Sequence, residues 1–319
     1  MNSKVELKLN NILLEEKIDF SDLKFLAGDA SNRKYFHINI FSQKCVLMYD
    51  DNSLSLENFI KVSNILNDIV SIPQIIFNLQ DKHILIIEDF GENKFSQLIN
   101  KRKQSAFYNL AVNTLIKLHK ENKSYNLDFY TIKKFTQESD LFFDWFVKKD
   151  KKNRDFLKKE FNFLFEPLLK NIEFIPKVFI HRDYHVDNLF YLEERSEHFK
   201  CGWIDYQDAL VGPCVYDLVS LTQDARIDVS QEIEKHLVNT YLSNFNFIDK
   251  SLFDLCYKIV AIQRHLKVLG IFKRLFLRDK KKIYLNHIPR VISLLNENLK
   301  DKKFIEISRL IQPIIKTYD

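Results

Sequence analysis

The order of apolar patterns along the chain is the feature that most constrains its fold. Between Leu23 and Tyr49, short apolar runs (LKFLA, KYFHINI, KCVLMY) are separated by the segments GDASN and FSQ, a pattern typical of antiparallel strands joined by tight turns. An apolar repeat at helical spacing follows from Ser53 to Val70, and the runs IIFNL and HILIIE predict two further strands. The first third of the chain is therefore predicted to form an antiparallel sheet with one inserted helix.

After Glu88 the pattern becomes helical. Periodic apolar positions recur in three segments, which are residues 104–121, 133–149 and 154–169. The apolar runs VFIH, NLFYL and CGWID interrupt them and predict brief strands. From Val215 onward the sequence predicts helices, with breaks at Pro289 and Pro313.

Strands first and helices later indicate an α+β fold with two lobes. We expect an N-terminal lobe over residues 1–90, made of the antiparallel sheet and its helix. A larger, mainly helical C-terminal lobe is expected over residues 91–319, with a ligand cleft between the two. The hinge is predicted near residues 88–92.

Composition limits the possible partners. With 46% hydrophobic residues, the 319-residue chain can bury a large core. The net charge of +5 comes from 48 basic residues interleaved with 43 acidic ones, so we expect no nucleic acid partner. Basic runs such as residues 101–103 and 280–282 are typical of solvated surfaces.

Cysteines and apolar runs bear on the compartment. The four cysteines lie far apart and form no CxxC pair, as is typical of reduced thiols in a cytoplasmic protein. No apolar run reaches the roughly 18–20 residues of a membrane span, and the first residues, MNSKVELKLN, lack the apolar core of a signal peptide. We therefore expect a cytoplasmic protein that does not bind a membrane. The sequence carries no signal for an oligomeric state.

The segment HRDYHVDN, residues 181–188, carries the strongest chemical signal. Asn188 follows Asp183 by five positions, which is the spacing of a protein-kinase catalytic loop. Asp205 comes directly after the apolar run CGWI, where a kinase places its metal-binding aspartate. Phosphoryl transfer requires a carboxylate that orients the attacking hydroxyl and oxygen ligands that hold Mg²⁺ against the phosphates.

These three residues form the predicted catalytic set. Asp183 is the expected catalytic base, and Asn188 and Asp205 are the expected metal ligands. Taken singly, each has a plainer interpretation, because Asp and Asn often occupy turns and strand ends. Their joint spacing favours catalysis.

The string HRDYHVDN followed by WIDYQDALVGPCVYDLVSL resembles the aminoglycoside phosphotransferase and choline kinase superfamily, whose fold is protein-kinase-like. The strings FLAGDASNRKYF, ILIIEDFG and QRHLKVLGIFKRL are similar to the branch that contains the anomeric N-acetylmuramate and N-acetylglucosamine kinases of cell-wall recycling. The resemblance covers residues 25–275. It implies ATP and Mg²⁺ as cofactors, an ATP cleft between the lobes, and phosphorylation of a small-molecule acceptor.

The resemblance also implies an ATP site. It assigns the loop that begins at Gly28 to the ATP phosphates, with Ser31 and Arg33 as further contacts. Backbone N–H groups and a hydroxyl in such a loop can bond phosphate oxygens. The main-chain groups of Glu88 and Phe90 are expected to recognise adenine.

One departure from kinases concerns the third-strand lysine that binds the phosphates. It should fall near Met48, where the sequence has no lysine. Arg33 or Lys34, on the preceding strand, is our hypothesis for the replacing cation, and Glu57 on the next helix is its expected partner.

The acceptor site is predicted from a helix over residues 256–277. A polar face is formed at helical spacing by Gln263, Lys267, Gly270 and Arg274. This face either lines the cleft and binds sugar hydroxyls or a carboxylate, or is a solvated surface. The predicted acceptor residues are His185, Asp208, Arg264 and Lys267. Asp217 is expected to brace the catalytic loop, a structural role that the resemblance implies.

Three functions stay open at this point. The leading interpretation is an ATP-dependent kinase that phosphorylates the anomeric hydroxyl of an N-acetylated amino sugar. A kinase of the same fold acting on choline or an aminoglycoside is the alternative, although such cationic acceptors usually need carboxylates or an aromatic cage. The third is a nucleotide-binding regulator with weak turnover, which the absent lysine suggests.

Overall fold

The structure is a computed structural model that describes residues 2–28, 33–121 and 123–318. The nine strands, in chain order, are β1 (Phe20–Gly28), β2 (Lys34–Ile40), β3 (Gln43–Tyr49), β4 (Ile75–Leu79), β5 (Ile84–Glu88), β6 (Lys177–Ile180), β7 (Leu189–Tyr191), β8 (Cys201–Trp203) and β9 (Leu210–Pro213). These are the strands of the described part of the chain.

Among the same residues, eleven α-helices are present. They are α1 (Asn2–Glu15), α2 (Ser53–Leu66), α3 (Phe95–Leu98), α4 (Gln104–Lys120), α5 (Ile132–Leu141), α6 (Lys151–Leu169), α7 (Tyr216–Thr222), α8 (Gln231–Ser243), α9 (Lys250–Leu277), α10 (Ile288–Leu299) and α11 (Ile305–Ile315). A short π-helix (Phe142–Phe146) continues α5.

The chain separates into two compact units. The first unit contains residues 1–99 and 186–208, and the second unit contains residues 100–185 and 209–319. Strands dominate the first and helices the second, which confirms the predicted α+β fold. The domain division at residue 90 stays a prediction.

The first unit is built on a five-stranded antiparallel sheet with the strand order β1-β2-β3-β5-β4. Alternating apolar residues of β2 and β3, such as Phe36 and Leu47, are fully buried in its core. Helix α1 was not predicted from the sequence. Its residues Leu9 and Leu13, one helical turn apart, are fully buried against the same core.

A two-stranded hairpin, β7-β8, belongs to this unit because it is bonded to the segment after α2. Trp203 N donates to Ser71 O over 2.8 Å, and Ser71 Oγ donates to Phe199 O over 2.6 Å. A Cβ at Gly202 would lie 2.7 Å from the ring of Phe90, so only glycine allows this ring to pack on β8. Asn188 comes directly before β7 and Asp205 shortly after β8, so both lie at the open end of the hairpin.

The second unit is a helical core around α9, which packs against α5, α10 and the π-helix. A Cβ at Gly270 would lie 2.3 Å from the carbonyl carbon of Leu141, so a glycine is needed where α9 crosses the end of α5. Strands β6 and β9 form a short antiparallel pair, and the predicted catalytic loop follows β6 directly.

Of the two helix breaks expected in this unit, the one at Pro289 is confirmed and the one at Pro313 is wrong. Pro289 lies in the first turn of α10, where proline is well tolerated. Pro313 was expected to break a helix, but it lies inside α11 within three residues of its end. Within the part of the chain that is described, no helix is long and apolar enough to cross a membrane.

Candidate active site

The backbone of the predicted catalytic loop, residues 181–188, is held by Asp217. This residue lies in the first turn of α7 and is fully buried. Its two carboxylate oxygens accept hydrogen bonds from His181 N over 2.6 Å and from Arg182 N over 3.0 Å. Burial raises the pKa of Asp217 to about 6. The contact is the one that the predicted bracing role requires, and the role itself stays a prediction.

Asp183 has a solvent-exposed side chain, although neighbouring protein groups surround much of it and reduce its hydration. The loss of hydration raises its pKa, but the charges of Lys267 and Arg264 outweigh this and hold the pKa well below its ordinary value. The carboxylate is therefore ionised at neutral pH. An exposed, ionised carboxylate can accept a hydrogen bond from an acceptor hydroxyl.

Helix α9 places two cations in the electrostatic surroundings of this carboxylate. Arg264 Nη1 donates to Arg182 O over 2.9 Å, and its guanidinium lies 5.6 Å from the ring centre of Tyr216. Lys267 Nζ lies 2.8 Å from Glu138 Oε2 and 3.3 Å from the Tyr216 hydroxyl. Both side chains are buried and belong to the surroundings of Asp183.

The alternative of a solvated polar face on α9 is wrong. Gln263 is fully buried and donates to Phe135 O over 3.0 Å. Gly270 packs against backbone atoms of Leu141, and only Arg274 is half-exposed. Two members of the predicted face, Gln263 and Gly270, therefore serve packing inside the helical unit.

Glu138 is a functional candidate that the sequence analysis missed. It lies on α5, and its carboxylate bonds Arg182 over 2.6 Å, Lys267 over 2.8 Å and the hydroxyl of Tyr130. Burial raises its pKa, but the charges of Lys267 and Arg182 outweigh this and lower it below the ordinary value. No motif or spacing marks Glu138, because its partners lie 44 and 129 positions away in the sequence.

The two other predicted acceptor residues differ in their surroundings. His185 is buried, and burial together with the charge of Arg226 lowers its pKa well below the ordinary value. It is therefore neutral at physiological pH. Asp208 is exposed and belongs to the first unit.

In the first unit, Asn188 and Asp205 lie on adjacent segments, since Ile204 N donates to Asn188 O over 3.1 Å. Asp205 has a left-handed backbone (φ 64°), and its Oδ1 accepts a bond from Gln207 Nε2 over 2.9 Å. An amide and a carboxylate supply hard oxygen donors that fit Mg²⁺, which keeps waters and phosphate oxygens as its remaining ligands. In the described ranges, no group of three or more His, Cys, Asp or Glu side chains lies together as a candidate metal site.

The structure describes only part of the loop that was predicted to bind the ATP phosphates. Gly28 is the last residue of β1, and Ser31 lies outside the described residues. Arg33 is buried, and its Nε lies 3.2 Å from Asp50 Oδ2. Asp50 is thus the carboxylate paired with this arginine, whereas the expected partner, Glu57, is exposed.

Other contacts of Arg33 fix its guanidinium further. It donates to the hydroxyl of Tyr35 over 3.3 Å and to that of Ser55. At the expected lysine position, Met48 is fully buried and pairs with Leu85 across β3 and β5. Lys34, the other candidate cation, is half-buried.

The segment predicted to recognise adenine, residues 88–90, is fixed by contacts with neighbouring segments of the first unit. Glu88 N donates to Gln74 O over 2.9 Å, and the Glu88 carboxylate forms an ion pair with Arg195. The guanidinium of Arg195 lies 5.2 Å from the ring centre of Phe90, which also contacts Phe190. These contacts fix the main chain of residues 88–90.

Comparisons with known proteins identify the family of this chain. Residues 22–249 match the phosphotransferase enzyme family APH. The chain belongs to this family. The phosphotransferase is 32% identical to an N-acetylmuramate/N-acetylglucosamine kinase of Neisseria meningitidis serogroup B, over 96% of this chain and 93% of that protein. A protein of the same name from Pseudomonas putida is 27% identical over 88% of this chain and 84% of that one.

Solved structures show the same fold at lower identity. The choline kinase LicA from Streptococcus pneumoniae has a TM-score of 0.62 at 12% identity and covers 93% of this chain and 99% of its own. The GDP complex of aminoglycoside 2'-phosphotransferase-IIIa also has a TM-score of 0.62, at 15% identity, and covers 92% of this chain and 98% of its own. These likenesses confirm the kinase-like fold.

Proposed function

We propose that this phosphotransferase transfers the γ-phosphoryl group of ATP to a hydroxyl of an N-acetylated amino sugar. The observation that carries the proposal is the exposed, ionised Asp183 on a catalytic loop whose backbone is held by Asp217. The names of relatives at 26–32% identity, each an N-acetylmuramate/N-acetylglucosamine kinase, support the acceptor class.

The residues have distinct roles in this proposal. Asp183 accepts a hydrogen bond from the acceptor hydroxyl and orients it toward the phosphoryl group, and it takes the proton as the bond to phosphorus forms. Asn188 and Asp205 would hold Mg²⁺, which neutralises charge on the phosphates when bound. Arg33, fixed by Asp50, is the proposed cation for the phosphates in place of the third-strand lysine.

The cations around Asp183 bear on the acceptor. Lys267 and Arg264 are the cations that most lower the pKa of Asp183, and cations beside the acceptor are unfavourable for a cationic acceptor such as choline and favourable for a neutral or anionic one. N-acetylglucosamine is neutral, and N-acetylmuramate carries a lactyl carboxylate. A choline or aminoglycoside acceptor is therefore disfavoured.

The finer proposal is that the anomeric hydroxyl is the site of phosphorylation, in the cytoplasm and as a step of cell-wall recycling. It rests on the resemblance of the sequence to the anomeric sugar kinases and on the names of the relatives. The product would then be a sugar 1-phosphate.

A mixed acceptor panel tests the proposal. The protein is incubated with ATP, Mg²⁺ and N-acetylmuramate, N-acetylglucosamine, choline and kanamycin, and the products are identified by ³¹P and ¹H NMR. We expect phosphate coupled to the anomeric proton of the two sugars. Phosphate on a primary hydroxyl would overturn the anomeric assignment, phosphocholine as the only product would overturn the acceptor class, and nucleotide binding without any turnover would favour the regulator.

A further inference from the structure

One largely buried acid in the second unit joins three separate segments near Asp183. Glu138 on α5 bonds Arg182 of the catalytic loop, Lys267 of α9 and Tyr130, which precedes α5. The Glu138 side chain is only 14% exposed, and that of Lys267 only 9%. In such surroundings the removal of either member of an ion pair is destabilising, because it leaves the other charge buried and unpaired.

Arg182, the residue before Asp183, is held at its backbone N–H, its carbonyl and its guanidinium. Its backbone is left-handed (φ 75°), a conformation that non-glycine residues disfavour. Asp217 accepts from its N–H, Arg264 donates to its carbonyl, and Glu138 pairs with its guanidinium. The direction in which the chain presents Asp183 therefore depends on these three contacts.

Lys267 lies in the fields of two carboxylates. Burial lowers its pKa, but Tyr216, Glu138 and Asp183 together raise it above the ordinary value, so it is protonated at neutral pH. In the structure its ammonium is paired with Glu138. If Glu138 lost its charge, Asp183 would be the carboxylate left to attract this ammonium.

We propose that Glu138 is a positioning residue for phosphoryl transfer: it holds the ammonium of Lys267 away from Asp183 and fixes Arg182, so that Asp183 remains accessible to the acceptor hydroxyl. The inference rests on the proposed function, in which Asp183 orients that hydroxyl. Glu138 itself does not touch the reacting atoms.

Four variants test the inference: Glu138→Gln, Glu138→Asp, Lys267→Met and the double variant Glu138→Gln/Lys267→Met. In Glu138→Gln we expect kcat to fall about tenfold to a hundredfold, as small displacements of catalytic groups do, with the KM for ATP unchanged. Glu138→Asp keeps the charge and should recover part of kcat. The double variant removes the released ammonium and should be more active than Glu138→Gln alone.

Glu234→Gln is a matched control. Glu234 lies in the same unit and accepts hydrogen bonds from Gln223 and Tyr257 at 2.7 and 2.8 Å. Its replacement by glutamine therefore also neutralises a hydrogen-bonded carboxylate, but one that is distant in sequence from the loop of residues 181–188. Its kcat per folded molecule should equal that of the wild type. The folded fraction of every variant is measured by circular dichroism.

Two results would overturn the inference. One is wild-type kcat in Glu138→Gln, and the other is a double variant no more active than Glu138→Gln, which is what a merely structural role gives. Should Glu138→Gln not fold, Glu138→Asp carries the test, with kcat expected at about one third of wild type or less and wild-type kcat as the contrary result. Asp183→Asn separates the two claims: if that variant keeps its activity, the proposed function fails whatever Glu138 does.

Discussion

Replacing Gly270 by alanine tests whether this residue lets α9 pack against the end of α5. The sequence had instead suggested that the helix face with Gly270 could line the acceptor cleft. An alanine Cβ would lie 2.3 Å from the carbonyl carbon and 2.4 Å from the carbonyl oxygen of Leu141. Ordinary carbon contacts lie near 3.5 Å or beyond, so backbone must move by about 1 Å. Neither atom belongs to a flexible side chain that could give way.

The magnitude follows from two opposing effects. Overpacking costs about 3 kcal/mol at the upper end of its usual range, and alanine gains about 1 kcal/mol over glycine in a helix. We expect a net loss of about 2 kcal/mol in the free energy of unfolding, or roughly 3 °C in Tm. Because Lys267 and Arg264 lie on the same helix within two turns, kcat should fall as well.

Urea unfolding followed by circular dichroism measures the effect, with kcat determined on the folded protein. Ser251→Ala, at an exposed position of the same helix, is the control for helix propensity and should change stability by less than about 0.5 kcal/mol. A Gly270→Ala protein stabilised by about 1 kcal/mol, as propensity alone would give, would refute the packing argument.

Three further predictions concern the catalytic loop and the buried histidines. Asp217→Asn should lower both folding yield and kcat, because an amide cannot accept from both His181 N and Arg182 N; a variant with normal yield and kcat would argue against bracing. Lys267→Ala should lower kcat for both sugars to a similar extent, since Lys267 is paired internally, and a selective rise in KM for N-acetylmuramate would instead support direct binding of its carboxylate. Burial lowers the pKa of His119 to about 4 and of His265 to about 3, so both stabilise the fold above the ordinary histidine pKa and this stability is lost as pH falls toward those values. Between pH 7 and pH 5 the loss is about 2 kcal/mol per histidine, and the raised pKa of Asp217, about 6, offsets it by about 1 kcal/mol. Urea midpoints at the two pH values check the sum, and equal midpoints would contradict it.

Apolar periodicity and motif spacing predicted those elements whose structure is determined by nearby residues in the sequence. The strands of the sheet and helices α4 to α6 follow from apolar periodicity, which reports the face that each element buries. The loop HRDYHVDN follows from fixed spacing. In the sequence, Gly202 was part of the apolar run CGWID and Gly270 part of a polar helix face, and the close approaches that require glycine at both positions became visible in the folded chain.

Contacts between distant segments could not be predicted in this way. Glu138 with Lys267, and Arg33 with Asp50, are pairs that tertiary packing brings together, and charged residues at unremarkable positions give no sign of such partners. Helix α1 was missed because its few buried leucines are spaced among polar residues. The grouping of residues 186–208 with the first unit depends on hydrogen bonds to Ser71, which no linear division of the chain expresses.

Asp183→Asn is the measurement that tests the central claim most directly. The amide keeps the shape of the side chain but cannot take the acceptor's proton and orients its hydroxyl poorly. We predict that kcat falls by about 10²-fold or more, while the Kd for ATP from calorimetry stays close to that of the wild type. A variant that retains more than half of the wild-type kcat would remove Asp183 from the mechanism.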